Sequence, residues 1–314
     1  MHWVTSDDFL LHRTGPHPER PERLFSARRI ESSPRLSRVL LPAAPEPAPL
    51  ESVLAVHSRR LVDSLARLAA SGGGLADPDT VVSPRSVEVA FLAAGAAILA
   101  ADLAAGAARG DPRAFAAVRP PGHHATPERA MGFCLFNHVA VAARHLMRER
   151  GMARLLVVDF DVHHGNGTQD VFWEDPDVHY VSSHRYPFYP GSGAAAERGG
   201  GIGLGTTWNV PVAAGTLPDA WLPRLFAAIA DAARAARPET ILVSAGFDAD
   251  ARDPIGGLGL APADFGRIGA EIRRVADRAC GGRVVSVLEG GYDLAGLAEG
   301  VEAYVGGLEA GSSP

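Results

Sequence analysis

The chain has few cysteines and no long basic run, and each of these shortages excludes a class of protein. Its 314 residues contain only Cys134 and Cys280, too few for a disulfide framework, which favours a reducing compartment such as the cytoplasm. The formal net charge is −6, and the 30 basic residues are scattered along the chain. We therefore expect no nucleic-acid partner.

Long apolar runs are also missing, which argues against a membrane partner. Asp7 and Asp8 stand where a signal peptide needs apolar residues. The longest apolar run, residues 90–101, is mostly alanine and is too short to span a bilayer. We interpret this run as part of a buried helix.

Short β-branched runs alternate with helical patterns. Five runs are typical of buried strands: residues 114–118, 155–158, 178–181, 241–243 and 284–288. Helices are predicted from Ser83 and Pro84 to about Ala108, along residues 136–147, from a capping box at Thr216 and Asp219 to just before Pro238, and over residues 263–279. This alternation predicts an α/β fold with a mostly parallel sheet flanked by helices. We find no repeat or boundary, so we expect one domain over residues 1–314.

Titratable side chains follow four of the predicted strands. They are His123 and His124, then Asp159, Asp161 and His163, then Asp248, and last Glu289 and Tyr292. Ligands bind at the carboxyl ends of the strands in open parallel sheets. The sequence therefore predicts an active site at this edge of the sheet.

Asp161 and His163 predict half of a metal site. They are two residues apart, so their side chains point to one side of an extended backbone. Asp248, which follows another strand, is the best candidate for a third ligand. Two carboxylates and one imidazole leave a coordination position open for water, as in catalytic zinc sites. Ferrous iron or cobalt would also suit these ligands.

The adjacent histidines His123 and His124 are candidates for acid–base catalysis. Amide hydrolysis needs a base that activates water and an acid that protonates the amine. Asp159 and Asn166 are available to orient the two imidazoles. Tyr292 follows two glycines and is a candidate donor to an oxyanion.

At these residues the sequence resembles the histone deacetylase and acetylpolyamine amidohydrolase superfamily, over about residues 5–305. The matching segments are His17-Pro-Glu-Arg-Pro-Glu-Arg23, Arg119-Pro-Pro-Gly-His-His-Ala125, Met131-Gly-Phe-Cys-Leu-Phe-Asn137, residues 159–169, Ser244-Ala-Gly-Phe-Asp248 and Leu288-Glu-Gly-Gly-Tyr-Asp-Leu294. Asn166, rather than a second Asp, looks like the class II branch.

The resemblance implies an arginase/deacetylase-like fold and a role for each site residue. It implies one catalytic Zn²⁺ on Asp161, His163 and Asp248, and an oxyanion donor at Tyr292. It pairs His123 with Asp159 and His124 with Asn166, with His124 as the proton shuttle. It also implies structural K⁺ at two sites, one at Asp159, Asp161, His163 and Ser182, and one at Phe172, Asp175 and Val178.

The resemblance further implies a tunnel for an acylated side chain. Phe133 matches one aromatic wall, and Tyr189 stands where the family usually has the second Phe. Gly132 would accept a hydrogen bond from the substrate amide, and Arg23 would line an internal cavity for acetate. Ile255 matches the gate at the mouth, and the rim carboxylates Asp77 and Asp79 are candidates for contacts with a peptide backbone.

The predicted function is zinc-dependent deacetylation of acetyl-lysine in proteins or peptides. An acetylpolyamine or another small acetyl-amine is the alternative substrate. An arginase-like binuclear hydrolase is a rival, although Gly165 stands where it would need an acid; Asp248 and Asp250 do resemble its paired carboxylates. A non-catalytic binder is the other rival, although every catalytic position is filled. The oligomeric state is left open.

Overall fold

A computed structural model gives the structure of the protein over residues 1–106 and 110–310. The strands are β1 (His2–Val4), β2 (Leu41–Ala43), β3 (Gly74–Asp77), β4 (Thr80–Val82), β5 (Arg113–Ala116), β6 (Leu155–Asp159), β7 (Val178–Arg185), β8 (Thr207–Val212), β9 (Thr240–Ala245) and β10 (Val284–Leu288). The α-helices are α1 (Glu22–Ala27), α2 (Leu50–Leu54), α3 (Arg59–Ala70), α4 (Ser86–Ala105), α5 (His138–Glu149), α6 (Asn166–Phe172), α7 (Pro218–Ala236), α8 (Pro262–Ala279) and α9 (Leu294–Glu309). Short 3₁₀ helices cover Asp7–Leu11, Arg28–Ser32, Ser37–Val39 and Gly201–Gly203.

Eight of the strands form one sheet in the order β2-β1-β5-β10-β9-β6-β7-β8. Every neighbouring pair in this sheet is parallel. The remaining two strands, β3 and β4, form a separate antiparallel hairpin. The predicted α/β class is therefore confirmed, and each of the five predicted strands is present.

Side chains of the sheet alternate between two apolar cores, as the period of a strand requires. In β6, Leu155 and Val157 belong to one core, and Leu156 and Val158 belong to the other. Helices α3, α4 and α5 cover the first face, and α7, α8 and α9 cover the second. Because both faces are covered, the central strands are buried along their whole length and mostly apolar, without an alternating polar face.

Helix α4 contains the predicted alanine-rich run. By length and composition it would be able to cross a membrane, but 61% of its most apolar window is buried inside the fold. It begins at Ser86, not at Ser83, because the Ser83 hydroxyl accepts from the backbone nitrogen of Arg13 instead of capping the helix. The predicted end near Ala108 lies outside the described residues.

The predicted capping box of α7 is wrong. The helix begins at Pro218 without a side-chain cap, and Asp219 is ion-paired with Arg267 of α8. At the start of α8, Asp264 accepts from the backbone nitrogen of Ala261 at 3.0 Å, which is one half of a capping box.

Candidate active site

The loops after β5, β6, β9 and β10 meet at one edge of the sheet, because these four strands are neighbours. The structure brings the predicted catalytic and metal-binding residues together there. All eight are buried: His123, His124, Asp159, Asp161, His163, Asn166, Asp248 and Tyr292.

Asp161, His163 and Asp248 form a cluster that suits a metal ion. One ligand atom from each residue lies within 4.8 Å of the others. Nδ1 of His163 is 3.1 Å from Oδ1 of Asp161 and 3.1 Å from Oδ2 of Asp248. Within residues 1–106 and 110–310 this is the one group of three metal-ligating side chains so arranged. Three protein ligands would leave a coordination position of a bound metal ion open for water or substrate.

The charges of this cluster also fit a cation. Burial and the neighbouring Asp161 charge raise the pKa of Asp248 to about 7. Burial opposes a charge on His163 as well, but its bonds to Asp161 and Asp248 outweigh that and raise its pKa to about 10. Two carboxylates this close in a buried site repel each other, and a divalent cation would relieve the repulsion.

Backbone nitrogens hold the two carboxylates in place. Val162 donates to Oδ1 of Asp248 at 2.8 Å, and Gly290 donates to Oδ2 of Asp161 at 2.8 Å. Gly290 must be a glycine, because a Cβ there would lie 2.1 Å from Oδ2 of Asp248. The positions of the two carboxylates are therefore set by the backbone of the neighbouring loops.

The two histidines lie side by side with different partners. Their ring centroids are 4.1 Å apart. Nδ1 of His123 is 3.0 Å from Oδ2 of Asp159, and Nδ1 of His124 is 2.8 Å from Oδ1 of Asn166. The pairings that the resemblance implied are therefore present as contacts.

These partners push the two pKa values in opposite directions. Burial lowers the pKa of His123, but the charges of Asp161 and Asp159 outweigh it and raise the value to about 10. Burial and the positive charge of His123 hold the pKa of His124 well below its ordinary value. The surroundings therefore favour the charged form of His123 and the neutral form of His124.

The roles of two groups that support this pair were not predicted, although the sequence placed Glu289 at this edge of the sheet. The Tyr180 hydroxyl donates to Oδ2 of Asp159 at 3.0 Å. The Glu289 carboxylate accepts from the backbone nitrogens of Gly122 at 2.6 Å and His123 at 3.0 Å. Glu289 directly follows a mostly apolar buried strand, and this position indicated a role for it, because a buried carboxyl group needs polar partners. Nothing in the sequence distinguished Tyr180 from a core tyrosine.

Tyr292 is held through its ring. The guanidinium of Arg23 lies 4.7 Å from the ring centroid, and the Phe133 ring meets it edge-on at 5.7 Å. Arg23 is fully buried and donates to the backbone oxygens of Gly291 at 2.6 Å and Glu289 at 2.5 Å. Arg23 therefore braces the loop that carries Tyr292.

A cavity of about 270 Å³ opens onto the cluster. Its lining residues are Asp79, His124, Gly132, Phe133, His163, Phe188, Tyr189, Ile255 and Tyr292. Phe188 was not predicted; its ring stacks on His163 at 5.3 Å, whereas Tyr189 meets His124 edge-on at 5.1 Å. The aromatic wall opposite Phe133 therefore consists of two rings. A larger groove of about 660 Å³ between α7 and α8 lies away from these residues.

The wall at Gly132 and Phe133 has an unusual backbone. Phe133 has a φ of +69°, which is rare for a residue with a side chain, and its nitrogen donates to the Thr80 hydroxyl at 3.1 Å. A Cβ at Gly132 would lie 2.4 Å from the His124 ring. Strain of this kind is typical of functional sites.

The rim of the cavity carries the predicted acidic residues. The backbone nitrogen of Asp79 donates to Oδ1 of Asp77 at 3.1 Å. Burial and the neighbouring Asp77 raise the pKa of Asp79. Asp79 and the uncharged Ile255 both line the cavity.

The residues proposed for potassium form two groups. Asp159 pairs with Ser182 in the register of β6 and β7, next to Asp161 and His163. The second group lies between the end of α6 and the start of β7, where the nitrogen of Asp175 donates to the oxygen of Phe172 at 3.1 Å, just before Val178.

The structure disfavours a second metal ion. The Asp250 carboxylate is taken up by Arg252, with both of its oxygens at 2.9 Å from guanidinium nitrogens. A side chain at position 165 would not fit, because a Cβ on Gly165 would lie 2.2 Å from Oδ2 of Asp159. The binuclear rival therefore lacks both of its extra ligands.

Comparisons with known proteins place the chain in a family. The family model described as histone deacetylase domain matches residues 17–308. The chain is 41% identical to Histone deacetylase 10, chloroplastic, of Oryza sativa subsp. japonica, over 92% of this chain and 69% of that one. It is 40% identical to a probable deacetylase of Methanothermobacter thermautotrophicus (98% and 90%) and 39% identical to the histone deacetylase-like amidohydrolase of Pseudomonas aeruginosa (92% and 74%). The crystal structure of the HDA15 HD domain superposes with a TM-score of 0.89 at 34% identity, covering 98% of this chain and 88% of that one.

Proposed function

This chain belongs to the histone deacetylase family and is a hydrolase that acts on amides, and from this we propose that it is a zinc-dependent deacetylase of acetyl-lysine in proteins or peptides. The observation that carries the proposal is the buried cluster of Asp161, His163 and Asp248 beside a narrow cavity. His124 and Tyr292 stand in the wall of the same cavity. Water and the acetyl amide would give acetate and a free amine.

The metal in this proposal is a single zinc ion held by Asp161, His163 and Asp248. Bound zinc supplies a Lewis acid that polarises the substrate carbonyl and lowers the pKa of a bound water. The family is generally zinc-dependent, and the buried Asp-His-Asp donor set supports the assignment. The pKa of Asp248, which burial and the Asp161 charge raise to about 7, supports it further, because a bound cation would offset that charge and favour the ionised carboxylate.

His124 acts as the general base and then as the general acid. With its Nδ1–H donating to Oδ1 of Asn166, its Nε2 keeps a free lone pair. That nitrogen takes a proton from the attacking water and returns it to the leaving amine. The depressed pKa of His124 supports this role, since the ring is neutral when the substrate arrives. His123, paired with Asp159, stays charged and stabilises the negative charge that develops.

Tyr292 supplies a hydrogen bond to the oxyanion. Burial holds the pKa of its phenol well above the ordinary value, so the hydroxyl keeps its proton. A positioned donor of this kind typically accounts for about 100- to 1,000-fold in rate.

Acetyl-lysine suits the cavity better than an acetylated polyamine, which carries a second cationic group. The lysine stem is apolar, and it would lie between Phe133 and the rings of Phe188 and Tyr189. Ile255 at the mouth offers no charge to the far ammonium of an acetylated polyamine. A peptide backbone would instead meet the rim at Asp79.

An acetylated polyamine is the second candidate, and the acidic pair at the rim favours it. Asp77 and Asp79 are adjacent and would attract an ammonium group at the mouth. Asp79 does not distinguish the two candidates, because its carboxylate can accept a hydrogen bond from a peptide N–H or from an ammonium group.

A substrate panel tests the proposal. We would compare kcat/KM for acetyl-lysine peptides, acetylspermidine and acetylputrescine under identical conditions, because discrimination is a difference in transition-state binding. The chain contains no lysine, so any acetyl-lysine signal comes from the substrate alone. A value for either polyamine about tenfold above the best peptide would overturn the substrate but not the amide chemistry. No turnover of any acetyl-amine by zinc-loaded protein would overturn the function.

Potassium and location complete the proposal. We assign the structural cations to the two groups around Ser182 and Asp175, and the test is a dependence of activity on K⁺ at constant ionic strength. We place the protein in the cytoplasm, in keeping with two buried, unpaired cysteines, and a tagged copy observed in cells would test this.

A further inference from the structure

The loop that carries Tyr292 has a backbone that needs an anchor. Gly290 and Gly291 precede the tyrosine, and Gly291 has a φ of +122°, which favours glycine. The ring of Tyr292 contacts Arg23 and Phe133. Within residues 1–106 and 110–310, its hydroxyl makes no hydrogen bond that would fix the side chain. Arg23 braces the residues before Tyr292, and the position of the phenol then also depends on what holds the backbone nitrogen of Tyr292 itself.

That backbone is held by Asp253. Oδ2 of Asp253 accepts from the nitrogen of Tyr292 at 2.6 Å and from that of Asp293 at 3.2 Å. Oδ1 of the same carboxylate accepts from the nitrogens of Ile255 and Gly256, both at 3.0 Å. One half-buried side chain thus binds four backbone N–H groups from two loops.

The second of these loops forms the mouth of the cavity. Ile255 lines the cavity, and the oxygen of Gly256 accepts from Nη1 of Arg185 at 3.0 Å. The guanidinium of Arg185 also lies 4.2 Å from the ring centroid of Phe188, a wall residue. At its other end the loop contacts the ligand Asp248, whose backbone oxygen accepts from the nitrogen of Gly257 at 3.3 Å. The mouth, the metal cluster and the tyrosine are thereby joined through Asp253.

We propose that Asp253 is the positioning residue for Tyr292, and that it ties the place of the phenol to the rim loop at Ile255; this rests on the proposed deacetylase function. Asp253 touches no substrate and acts only through the backbone nitrogen of Tyr292. A displacement of about 1 Å at a reacting group costs on the order of 100-fold in rate. Losing Asp253 should therefore lower kcat and leave KM and metal content nearly unchanged.

The first test needs no substrate. In Asp253→Ala, hydrogen–deuterium exchange at the amides of Tyr292, Asp293, Ile255 and Gly256 should speed up by at least about tenfold, because their acceptor is gone. The matched control is Glu239→Ala, whose carboxylate accepts from the nitrogens of Ala153 at 2.7 Å and Arg154 at 3.1 Å at the other end of the sheet. It should leave exchange in the two active-site loops unchanged. Unaltered exchange in Asp253→Ala would overturn the proposal.

The second test is a double-mutant cycle on turnover. Asp253→Ala should lower kcat about 10- to 100-fold in the parent chain, but less than about threefold in the Tyr292→Phe background, because its effect passes through the phenol. Asp253→Asn, which keeps one acceptor oxygen, should fall between Asp and Ala, and Glu239→Ala should keep full activity. Equal losses in both backgrounds would overturn the positioning role.

The two tests also separate this proposal from the function on which it rests. If the parent chain hydrolyses no acetyl-amine, the proposed function has failed, and exchange alone then decides whether Asp253 fixes the tyrosine loop. If the parent chain is active and the cycle is additive, the function stands and Asp253 is merely structural.

Discussion

The carboxylate of Glu289 lies 2.6 Å from the backbone nitrogen of Gly122, so the segment that leads to Tyr292 also fixes the start of the histidine pair. The same carboxylate accepts from the nitrogen of His123 at 3.0 Å and contacts the Ser244 hydroxyl at 3.1 Å. Burial raises the pKa of Glu289 to about 7, so the neutral form is accessible near neutral pH. Its shape and acceptors matter more than its charge.

We therefore expect Glu289→Gln to be tolerated and Glu289→Ala to be damaging. Glutamine can turn its oxygen to the two backbone nitrogens and its amide nitrogen to Ser244. Alanine leaves buried N–H groups unpaired, at about 1–3 kcal/mol each, and should lower both the free energy of unfolding and kcat. Denaturant titration and steady-state rates of the two variants provide the measurement. Equal damage from both would mean that the negative charge itself is required.

Asp248→Ala should remove most of the bound metal and most of the activity. The change deletes one of the three ligands, and Asp161 and His163 alone are too few to hold the metal ion tightly. Metal content per chain by elemental analysis, with turnover of the same sample, is the measurement. Asp264→Ala, which affects only the start of α8, is a control that should keep one metal per chain. A fully loaded and active Asp248→Ala protein would contradict the ligand assignment.

A buried histidine away from the metal predicts acid sensitivity. Nε2 of His57 accepts from the nitrogen of Asn137 at 2.8 Å, and its Nδ1 faces the oxygen of Thr126 at 2.9 Å, so the ring must be neutral. Burial lowers its pKa from 6.5 to about 4. Between these two pKa values His57 is protonated in the unfolded chain but not in the folded protein. The contribution of His57 to the free energy of unfolding is therefore fully present above pH 6.5, and about 3 kcal/mol of it is lost as the pH falls towards 4.

His57→Gln should remove this part of the acid sensitivity. Glutamine can accept from Asn137 and donate to Thr126 without titrating, so the unfolding free energy at pH 8 should change by less than about 1 kcal/mol. Chemical denaturation between pH 4 and pH 8 gives the slope of the unfolding free energy against pH for the parent chain and for His57→Gln. The same slope in both proteins would show that the protonation of His57 does not limit acid stability.

The apolar strands and the edge at which they end were predictable from the sequence, because buried parallel strands are continuous β-branched runs. Residues 284–288 have the predicted bounds. Helix α9 was missed because Gly296, Gly300, Gly306 and Gly307 lower its helix propensity. Those glycines serve packing: a Cβ at Gly307 would lie 2.2 Å from the oxygen of Gly266 in α8.

The metal cluster was predictable because its residues follow strand ends with a fixed spacing. The carboxylates that hold the loops of Tyr292 and of the histidine pair were not predictable. Asp253 and Glu289 act by accepting from backbone nitrogens of distant loops, and no local pattern reveals which amides a carboxylate will meet. Phe188 was overlooked because sequence spacing does not show that two adjacent aromatic residues both face the cavity.

The last prediction concerns the two histidines. His124→Ala should lose roughly 100- to 10,000-fold in kcat, the usual range for a general acid–base group, and His123→Ala should lose less. Burial lowers the pKa of His124 most, and the positive charge of His123 is the next largest cause. Its removal therefore raises the pKa of His124, so that the base form is lost at a higher pH. The acid limb of kcat/KM for His123→Ala should move to higher pH, while its metal content stays at the parent value. If instead His123→Ala is the more damaged variant, with an unmoved acid limb, the roles of the two histidines are exchanged.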